Sequence, residues 1–524
     1  MAKKTATPAL TTPRARSPRL LDRAAGGARR VASPSSLRRA LARVPNPLLL
    51  ILVLAALESV AWDVATPAFQ GPDEAAQFAY VQHFAETGSI PSATKGTAPL
   101  STEEQDAMTW LNLAPLVGDP PARPAWSSAD LAVWHQIERA MPKGSRANGG
   151  GPNYQASNPP LYYALMAIPY RLVIWLPLLK RLFVLRLFSA LLRLAVIALT
   201  WILAGELFGR VRWKQTLAAG VVALEPKLAF MSAVISADNL LVLAVTGFLL
   251  AAVRLVKRGP SMARVLAVSG LAAAAVLTQG RGLVTVPVLA VALAVAWVRH
   301  RPPARATLLR GAAAVATIGC ALGAYVLFAK ASNGSSAFGG QVTQLNRGRF
   351  DLGQFLSSVY QFYFPALPGM QPRVGPAYGY QQVFITTFYG TFASLEVNFS
   401  SRIYAWLQVG SAIGLVGFYT ACVVRWRSLR RSWPVVVLML ALLVLSIGFL
   451  QYVSYRALLG NGGSDPLITG RYLLPLVSLF GLAVAFTVGC LPRRIAPLIG
   501  AVILAIGVLL SLDAIGITMA RFYA

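Results

Sequence analysis

Apolar residues run along this chain in long windows separated by short basic turns, a pattern set by a bilayer rather than by an aqueous core. Windows of about 17 to 25 apolar residues suffice to cross the hydrocarbon layer as α-helices. They fall near 47–66, 185–207, 216–233, 237–255, 265–279, 282–298, 309–330, 402–424, 434–455, 470–489 and 494–517. A further apolar stretch, 161–179, reads either as a re-entrant or juxtamembrane helix or as a span with a poorly placed turn, and the first is preferred. Two long hydrophilic segments, 67–158 and 331–400, interrupt the series. The pattern predicts an all-α polytopic membrane protein with about 11 to 13 transmembrane helices. Its large first external loop carries juxtamembrane helices.

Composition agrees. Of 524 residues 56% are hydrophobic and 13% charged, with a mean hydropathy of +0.57, whereas soluble domains hold about 25% charged residues. The net charge of +29 would suit nucleic acid, but the basic residues sit in tails and in turns between apolar windows. That is the distribution the positive-inside rule produces, so the partner is the lipid bilayer and not nucleic acid. Residues 1–46 hold eleven Lys/Arg against one acid and are rich in Pro, Ser and Ala. Such a segment cannot bury a core and is expected to be a disordered cytoplasmic tail, with a transit peptide as the lower-ranked reading. The window 47–66 then serves as a signal anchor, the domain runs over 47–517, and 518–524 forms a short C-terminal tail. Cys320, Cys422 and Cys490 lie in or beside apolar runs and offer neither a disulfide framework nor a CxxC site.

Charge sets the orientation. The turns "GRVRWK" (209–214), "RLVKRG" (254–259), "RHRPPARATLLR" (299–310), "RWRSLRR" (425–431) and "PRR" (492–494) can all lie inside if 159–207 crosses once in net terms. Both long segments then face outside, with the turns around Asp238, 279–282 and 461–470. The first segment holds nine of the nineteen acids.

Four outer stretches carry candidate chemistry. In "GPDEAAQFAY" (71–80), Asp73 and Glu74 follow directly on the first span. An acidic pair after proline is an ordinary helix start, but a carboxylate at the membrane surface also suits a general base acting on a hydroxyl. In "SNPPLYYAL" (157–165), Tyr162 and Tyr163 open an apolar helix and would equally suit an interfacial belt. In "EPKLAFMSAVISADNLL" (225–241), Glu225 and Lys227 are placed to pair, Pro226 to bend their helix, and Asp238 to cap the next one with Ser236. In "DPLITGRYLLPL" (465–476), Arg471 stands beside Gly470 where topology calls for no cation. Its guanidinium can grip a phosphate by two hydrogen bonds, or simply snorkel. Arg281, in "TQGRGL" (278–283), is a second outer cation. No cofactor is certain, since Walker, dinucleotide and GxSxG motifs are all missing from the sequence; a divalent cation is left open.

The order of these stretches resembles the GT-C superfamily of membrane glycosyltransferases. More closely, "GPDEAAQFAY", "NPPLYY", "YGTFASLEV" (389–397) and "GRYLLP" are similar to the bacterial family numbered 2142 among domains of unknown function, over roughly residues 47–517. Gln77 stands where that family often has histidine, and "FASLEV" replaces its usual Phe-Gly-Trp. The resemblance implies a GT-C-like fold in the bacterial cytoplasmic membrane, its N-terminus cytoplasmic and its active site outside. It implies inverting sugar transfer from a polyprenyl-phosphate sugar donor to an envelope glycan, lipid or protein acceptor. Asp73 would be the general base, Glu74 its assistant and Asp238 a second catalytic acid. Arg471, Tyr472, Arg281, Tyr162, Tyr163 and Gln77 would contact substrate. The rival readings are a transporter or flippase of a lipid-linked or anionic precursor, and a non-catalytic scaffold.

The orientation predicts that cysteines placed at Ser101 and Ser335 are labelled by an impermeant thiol reagent from outside, while one at Ser33 is not. The reverse pattern would overturn it.

Overall fold

A computed structural model describes residues 44–96, 98–333, 349–375, 379–460 and 468–524. Residues 1–43 of the expected tail, Ser33, Ser335 and Asp465 lie outside the described residues. The chain divides into a short unit, residues 1–49, whose described part begins the first helix, and a large unit, residues 50–524, that holds everything discussed below.

The described residues form helices joined by turns, with two isolated β-bridges. In order they are α1 (Asn46–Ala65), α2 (Glu74–Thr87), α3 (Thr102–Trp110), α4 (Ser128–Ala140), α5 (Leu161–Leu172), α6 (Leu178–Phe208), α7 (Arg212–Ala223), α8 (Pro226–Ser232) and α9 (Ala237–Arg258). There follow α10 (Met262–Thr278), α11 (Thr285–His300), α12 (Ala304–Asn333), α13 (Leu352–Tyr363), α14 (Ser401–Val424), α15 (Trp433–Gly460), α16 (Val477–Val488) and α17 (Ala496–Tyr523). Among the described residues nine helical segments are long and apolar enough to cross a membrane. The chain is thus an all-α, multi-spanning membrane protein.

One expected window is broken, and the stretch left with two readings takes the preferred one. The apolar run 216–233 is not one helix but α7 and α8, broken at Glu225–Pro226. Proline removes an amide hydrogen bond, and the Glu225 carboxylate takes over the freed end, accepting from the Lys227 and Leu228 amides at 3.3 and 2.5 Å. The expected Glu225–Lys227 pair therefore does not form. Lys227 instead donates to the Thr391 carbonyl and lies 5.2 Å over the Phe230 ring. In the stretch 161–179, α5 has 12 residues, about 18 Å of helix against a hydrocarbon core of about 30 Å. It is too short to cross, as the juxtamembrane reading expects. The next helix begins at Leu178 and runs for 31 residues.

Helix α6 organises the bundle through three buried arginines. Arg193 donates to Glu58 Oε2 at 2.5 Å and to Ser59 Oγ at 2.8 Å. Arg186 meets Asp63 and Glu74, and Arg181 meets Glu103 and the Tyr170 hydroxyl. Glu58 and Asp63 are the acids that interrupt the first span. Facing these arginines, they avoid the cost of a charge in lipid, about 2.5–3.5 kcal/mol on insertion scales. On α3, Glu104 is wholly buried with no hydrogen-bond partner on either oxygen. Burial foremost, then the charges of Glu103 and Glu74, push its carboxyl well above the usual range.

The described parts of the two hydrophilic segments meet. The Gly118 amide donates to Glu396 at 2.8 Å, and Ser394 Oγ to the Gln70 carbonyl at 3.4 Å. Ser101 is buried and caps α3 by accepting from the Glu104 amide, so exposed Lys143 makes the better labelling position in the same segment.

Removing one partner of a buried ion pair costs about 3–5 kcal/mol, because the other charge stays buried alone. Arg186→Leu should accordingly lower the thermal midpoint of the purified protein markedly, and the double variant Arg186→Leu/Glu74→Leu should recover part of the loss. Thermal unfolding in one detergent checks this; an unchanged midpoint in Arg186→Leu would contradict it.

Candidate functional site

The site starts from how the chain leaves α1. Between Ala65 and Glu74 it turns sharply, with Phe69 and Asp73 in the left-handed region at φ 61° and 63°. Asp and Asn tolerate that region better than other non-glycine residues. The Arg186 guanidinium fills the inside of the turn. It donates to the Thr66 and Pro67 carbonyls, both at 2.9 Å, and to the two Glu74 oxygens at 2.8 and 2.6 Å. The same oxygens accept from the Ile235 and Gly71 amides at 3.1 and 3.3 Å. A Cβ on Gly71 would stand 2.2 Å from the Val234 side chain, so only glycine lets this turn close on the α8–α9 connection. Glu74 is 1% exposed and fully engaged. The assisting role expected of it meets this obstacle: it has no oxygen left to turn outward.

Asp73 is oriented the other way. Its side chain does not cap α2, which removes the ordinary reason for an acid at a helix start, and it remains 29% exposed. One oxygen, Oδ2, accepts from Arg471 Nη2 at 2.5 Å, and Oδ1 accepts from the Tyr154 hydroxyl at 3.2 Å. Arg471 Nε stands 4.0 Å from Asp238 Oδ2. Asp238 Oδ1 accepts from Arg281 Nη2, which also donates to Gln279 Oε1 at 2.7 Å. Ser236, not Asp238, caps α9, accepting from the Asp238 amide at 3.3 Å. The Tyr472 ring lies 4.3 Å from the Arg281 guanidinium and 5.3 Å from that of Arg471, a cation–π geometry that spaces the two cations. The result is an alternating row, Asp73–Arg471–Asp238–Arg281. Arg471 Nε and Arg281 Nη1 are buried and carry no hydrogen bond.

Gly470 explains how Arg471 reaches this row. A Cβ there would stand 2.3 Å from the Phe388 amide nitrogen and the Val383 carbonyl oxygen. The Gly470 amide donates to Thr387 Oγ1 at 2.6 Å. The close approach that the glycine permits is therefore made by the 383–388 backbone, which seats the start of the 3₁₀ turn Gly470–Leu476.

Five of the residues singled out from the sequence, Asp73, Asp238, Arg471, Arg281 and Tyr472, thus come together from four distant stretches. Gln77, Tyr162 and Tyr163 are buried, and among the described residues no side-chain hydrogen bond links them to the row. Gln77 accepts from the Tyr163 hydroxyl at 2.7 Å and donates to Gln155 at 3.1 Å, and Tyr163 stacks on Tyr80 at 3.5 Å between centroids. These bonds engage Gln77 and Tyr163, whereas the Tyr162 hydroxyl is buried with no hydrogen-bond partner. The same bonds lock the 3₁₀ turn Tyr154–Ser157 against α2. Tyr154 and Gln279 were not legible in advance; Tyr154 has no periodicity or charge to mark it. Among the described residues no three His, Cys, Asp or Glu side chains are grouped to hold a metal. Asp73 and Asp238, the carboxylates nearest such a role, are both turned to arginines, so the donor set does not fit a divalent cation.

Among solved structures the chain is similar to ArnT from Cupriavidus metallidurans in the apo state, at 15% identity and a TM-score of 0.45, covering 88% of this chain and 64% of that one. The same enzyme bound to undecaprenyl phosphate gives 15% and 0.44. The apo oligosaccharyltransferase of Archaeoglobus fulgidus gives 14% and 0.42, covering 90% of this chain and 55% of that one. The chain thus spans less than two thirds of the length of each. No protein of curated function matches it. The profile of one family, described as a predicted membrane protein (DUF2142), matches residues 57–480. This is most of the chain, and the chain belongs to the DUF2142 family of membrane proteins.

Proposed function

We propose that the outer row of carboxylates and arginines is the active site of a membrane glycosyltransferase, which moves a sugar from a polyprenyl-phosphate donor to an acceptor hydroxyl on the external face. The observation that carries this reading is the convergence of Asp73 and Arg471 at 2.5 Å on the surface where the chain leaves its first span. A partly exposed carboxylate is the base such a reaction needs, and arginines with buried, unused N–H groups, Arg471 Nε and Arg281 Nη1, suit a phosphate. The acceptor oxygen attacks the anomeric carbon and gives its proton to Asp73. The bond from that carbon to the phosphate oxygen breaks, and its electron pair leaves with the polyprenyl phosphate, so the anomeric configuration inverts. A phosphate leaving group needs no proton; Arg471 and Arg281 stabilise the charge it develops. We assign Asp238 the task of holding both arginines, and Glu74 that of holding the turn beneath Asp73. Gln77 and Tyr163 support Tyr154 rather than touch substrate, and Tyr162 packs beneath them. The acceptor is an envelope glycan, lipid or protein, and the orientation is that of a cytoplasmic N-terminus.

One feature favours the transporter reading: the break between α7 and α8, since transporters use discontinuous helices at their sites. Against it, Glu225 is used up as a helix cap and Lys227 is bound to a backbone carbonyl.

Asp73→Asn should abolish transfer with only a modest fall in the thermal midpoint, because Asn accepts the left-handed conformation and keeps an oxygen for Arg471, and the residue caps nothing. Complementation of a deletion strain, read as envelope glycan composition, checks it; activity within several-fold of wild type would move the base elsewhere.

At Arg471, lysine keeps one positive charge but loses the planar fork, so it should bind donor more weakly, and alanine more weakly still. Truncating one side of a desolvated charged contact costs about 2–5 kcal/mol, so Arg471→Ala should raise the donor requirement by well over tenfold. Purified protein in nanodiscs with polyprenyl-phosphate sugars, followed by release of polyprenyl phosphate, measures both. Wild-type kinetics in the alanine variant would contradict the phosphate contact, and no turnover of any donor by wild type would favour the transporter.

A further inference from the structure

We infer that the donor phosphate and Asp73 compete for one guanidinium, that of Arg471, so that donor binding is what releases the base. This rests on the donor-phosphate reading above and adds an order to it: lipid phosphate first, acceptor chemistry second. In the structure Arg471 Nη2 is spent on Asp73 Oδ2 at 2.5 Å. A carboxylate oxygen in a charge-assisted hydrogen bond is already occupied, and a guanidinium so engaged is less available to a phosphate. Each group therefore silences the other.

The exchange is open to this pair and closed to the neighbouring ones. Asp73 and Arg471 keep 29% and 14% of their side-chain surface exposed, whereas Glu74 and Arg186 keep 0% and 3%. Asp238 holds Arg281 through Oδ1 and stands 4.0 Å from Arg471 Nε through Oδ2, without a hydrogen bond, so it stays beside Arg471 while Nη2 changes partner. A phosphate oxygen entering at Arg471 replaces one anion by another, so the guanidinium is never left buried and unpaired.

The freed carboxylate is not left loose, because Tyr154 holds its other oxygen at 3.2 Å. Tyr154 begins a 3₁₀ turn whose frame is built into α2: Asn153 Nδ2 donates to the Ala76 carbonyl at 2.9 Å, and Gln155 Oε1 accepts from Gln77 Nε2 and Asn158 Nδ2. Tyr154, 62% exposed but carried on this framed turn, is a positioning residue in this scheme, the partner that Asp73 keeps when Arg471 turns to phosphate.

The competition has a measurable sign. A ligand whose site is free only part of the time binds more weakly by that fraction. Removing the competing charge should therefore tighten phosphate binding in a variant that has lost the base. The probe is undecaprenyl phosphate, titrated onto the full chain in nanodiscs, with undecaprenol and inorganic phosphate as separate arms. Asp73→Asn should bind undecaprenyl phosphate about tenfold more tightly than wild type, a difference of about 1.4 kcal/mol. Arg471→Ala should bind it more weakly, and the double variant should show no gain over Arg471→Ala, which separates competition for Arg471 from a general loss of negative charge. Inorganic phosphate should follow the same ranking and undecaprenol none. Unchanged or weaker binding in Asp73→Asn, with Arg471→Ala still impaired, would overturn the competition and leave the phosphate contact standing. A gain that persists in the double variant would overturn it too. Wild-type affinity in Arg471→Ala would remove the phosphate contact itself, and this inference with it.

Discussion

A guanidinium buried in a helical bundle must have its charge and its five N–H groups satisfied, and the way Arg186 meets that demand shapes everything around it. Its fork takes both oxygens of Glu74 and the carbonyls of Thr66 and Pro67, four contacts between 2.6 and 2.9 Å. Those contacts fix the chain where it leaves α1 and set Glu74 inward. Because Asp73 precedes Glu74 and lies in the left-handed region, fixing one inward sends the other outward. The partly exposed carboxylate of Asp73 is thus a geometric consequence of the buried one of Glu74. The adjacent acids have opposite surroundings.

The same logic runs along α6. Arg181, Arg186 and Arg193 each answer an acid elsewhere in the chain, Glu103, Glu74 with Asp63, and Glu58. Buried pairs of this kind add little net stability compared with apolar packing, but they are costly to mismatch. Their effect is on register. Sliding α6 past α1 by one turn would strand several charges at once, so the pairs hold α6, α1, α2 and α3 in one arrangement. The row of carboxylates and arginines can then be assembled from residues as far apart as Asp73 and Arg471.

Much of this was legible in the sequence. Spanning helices declare themselves by length and hydropathy, and nine of the eleven windows map onto helices long enough to cross. The run 216–233 misled because periodicity does not register a cap: Glu225 followed by Pro226 ends one helix and starts another inside apolar surroundings. Asp73, Asp238, Arg281 and Arg471 were visible because charges are rare in this chain and these stand at the ends of apolar windows, with Tyr472 beside Arg471. Tyr162, Tyr163 and Gln77 look the same in a sequence whether they face a ligand or a partner side chain, and only packing shows that they face each other. The arginines of α6 were hidden by the long apolar run that carries them. Which acid of the Asp73–Glu74 pair is the exposed one follows from Arg186, and no local pattern contains it.

On the proposed function, the row from Asp73 to Arg281 is a phosphate site for a lipid-linked donor. An experimental structure of the protein in nanodiscs with undecaprenyl phosphate tests it most directly. The phosphate is expected on Arg471 and Arg281, with the bond from Arg471 to Asp73 open and Asp73 still held by Tyr154. A phosphate lodged elsewhere, with Arg471 still on Asp73, would contradict it.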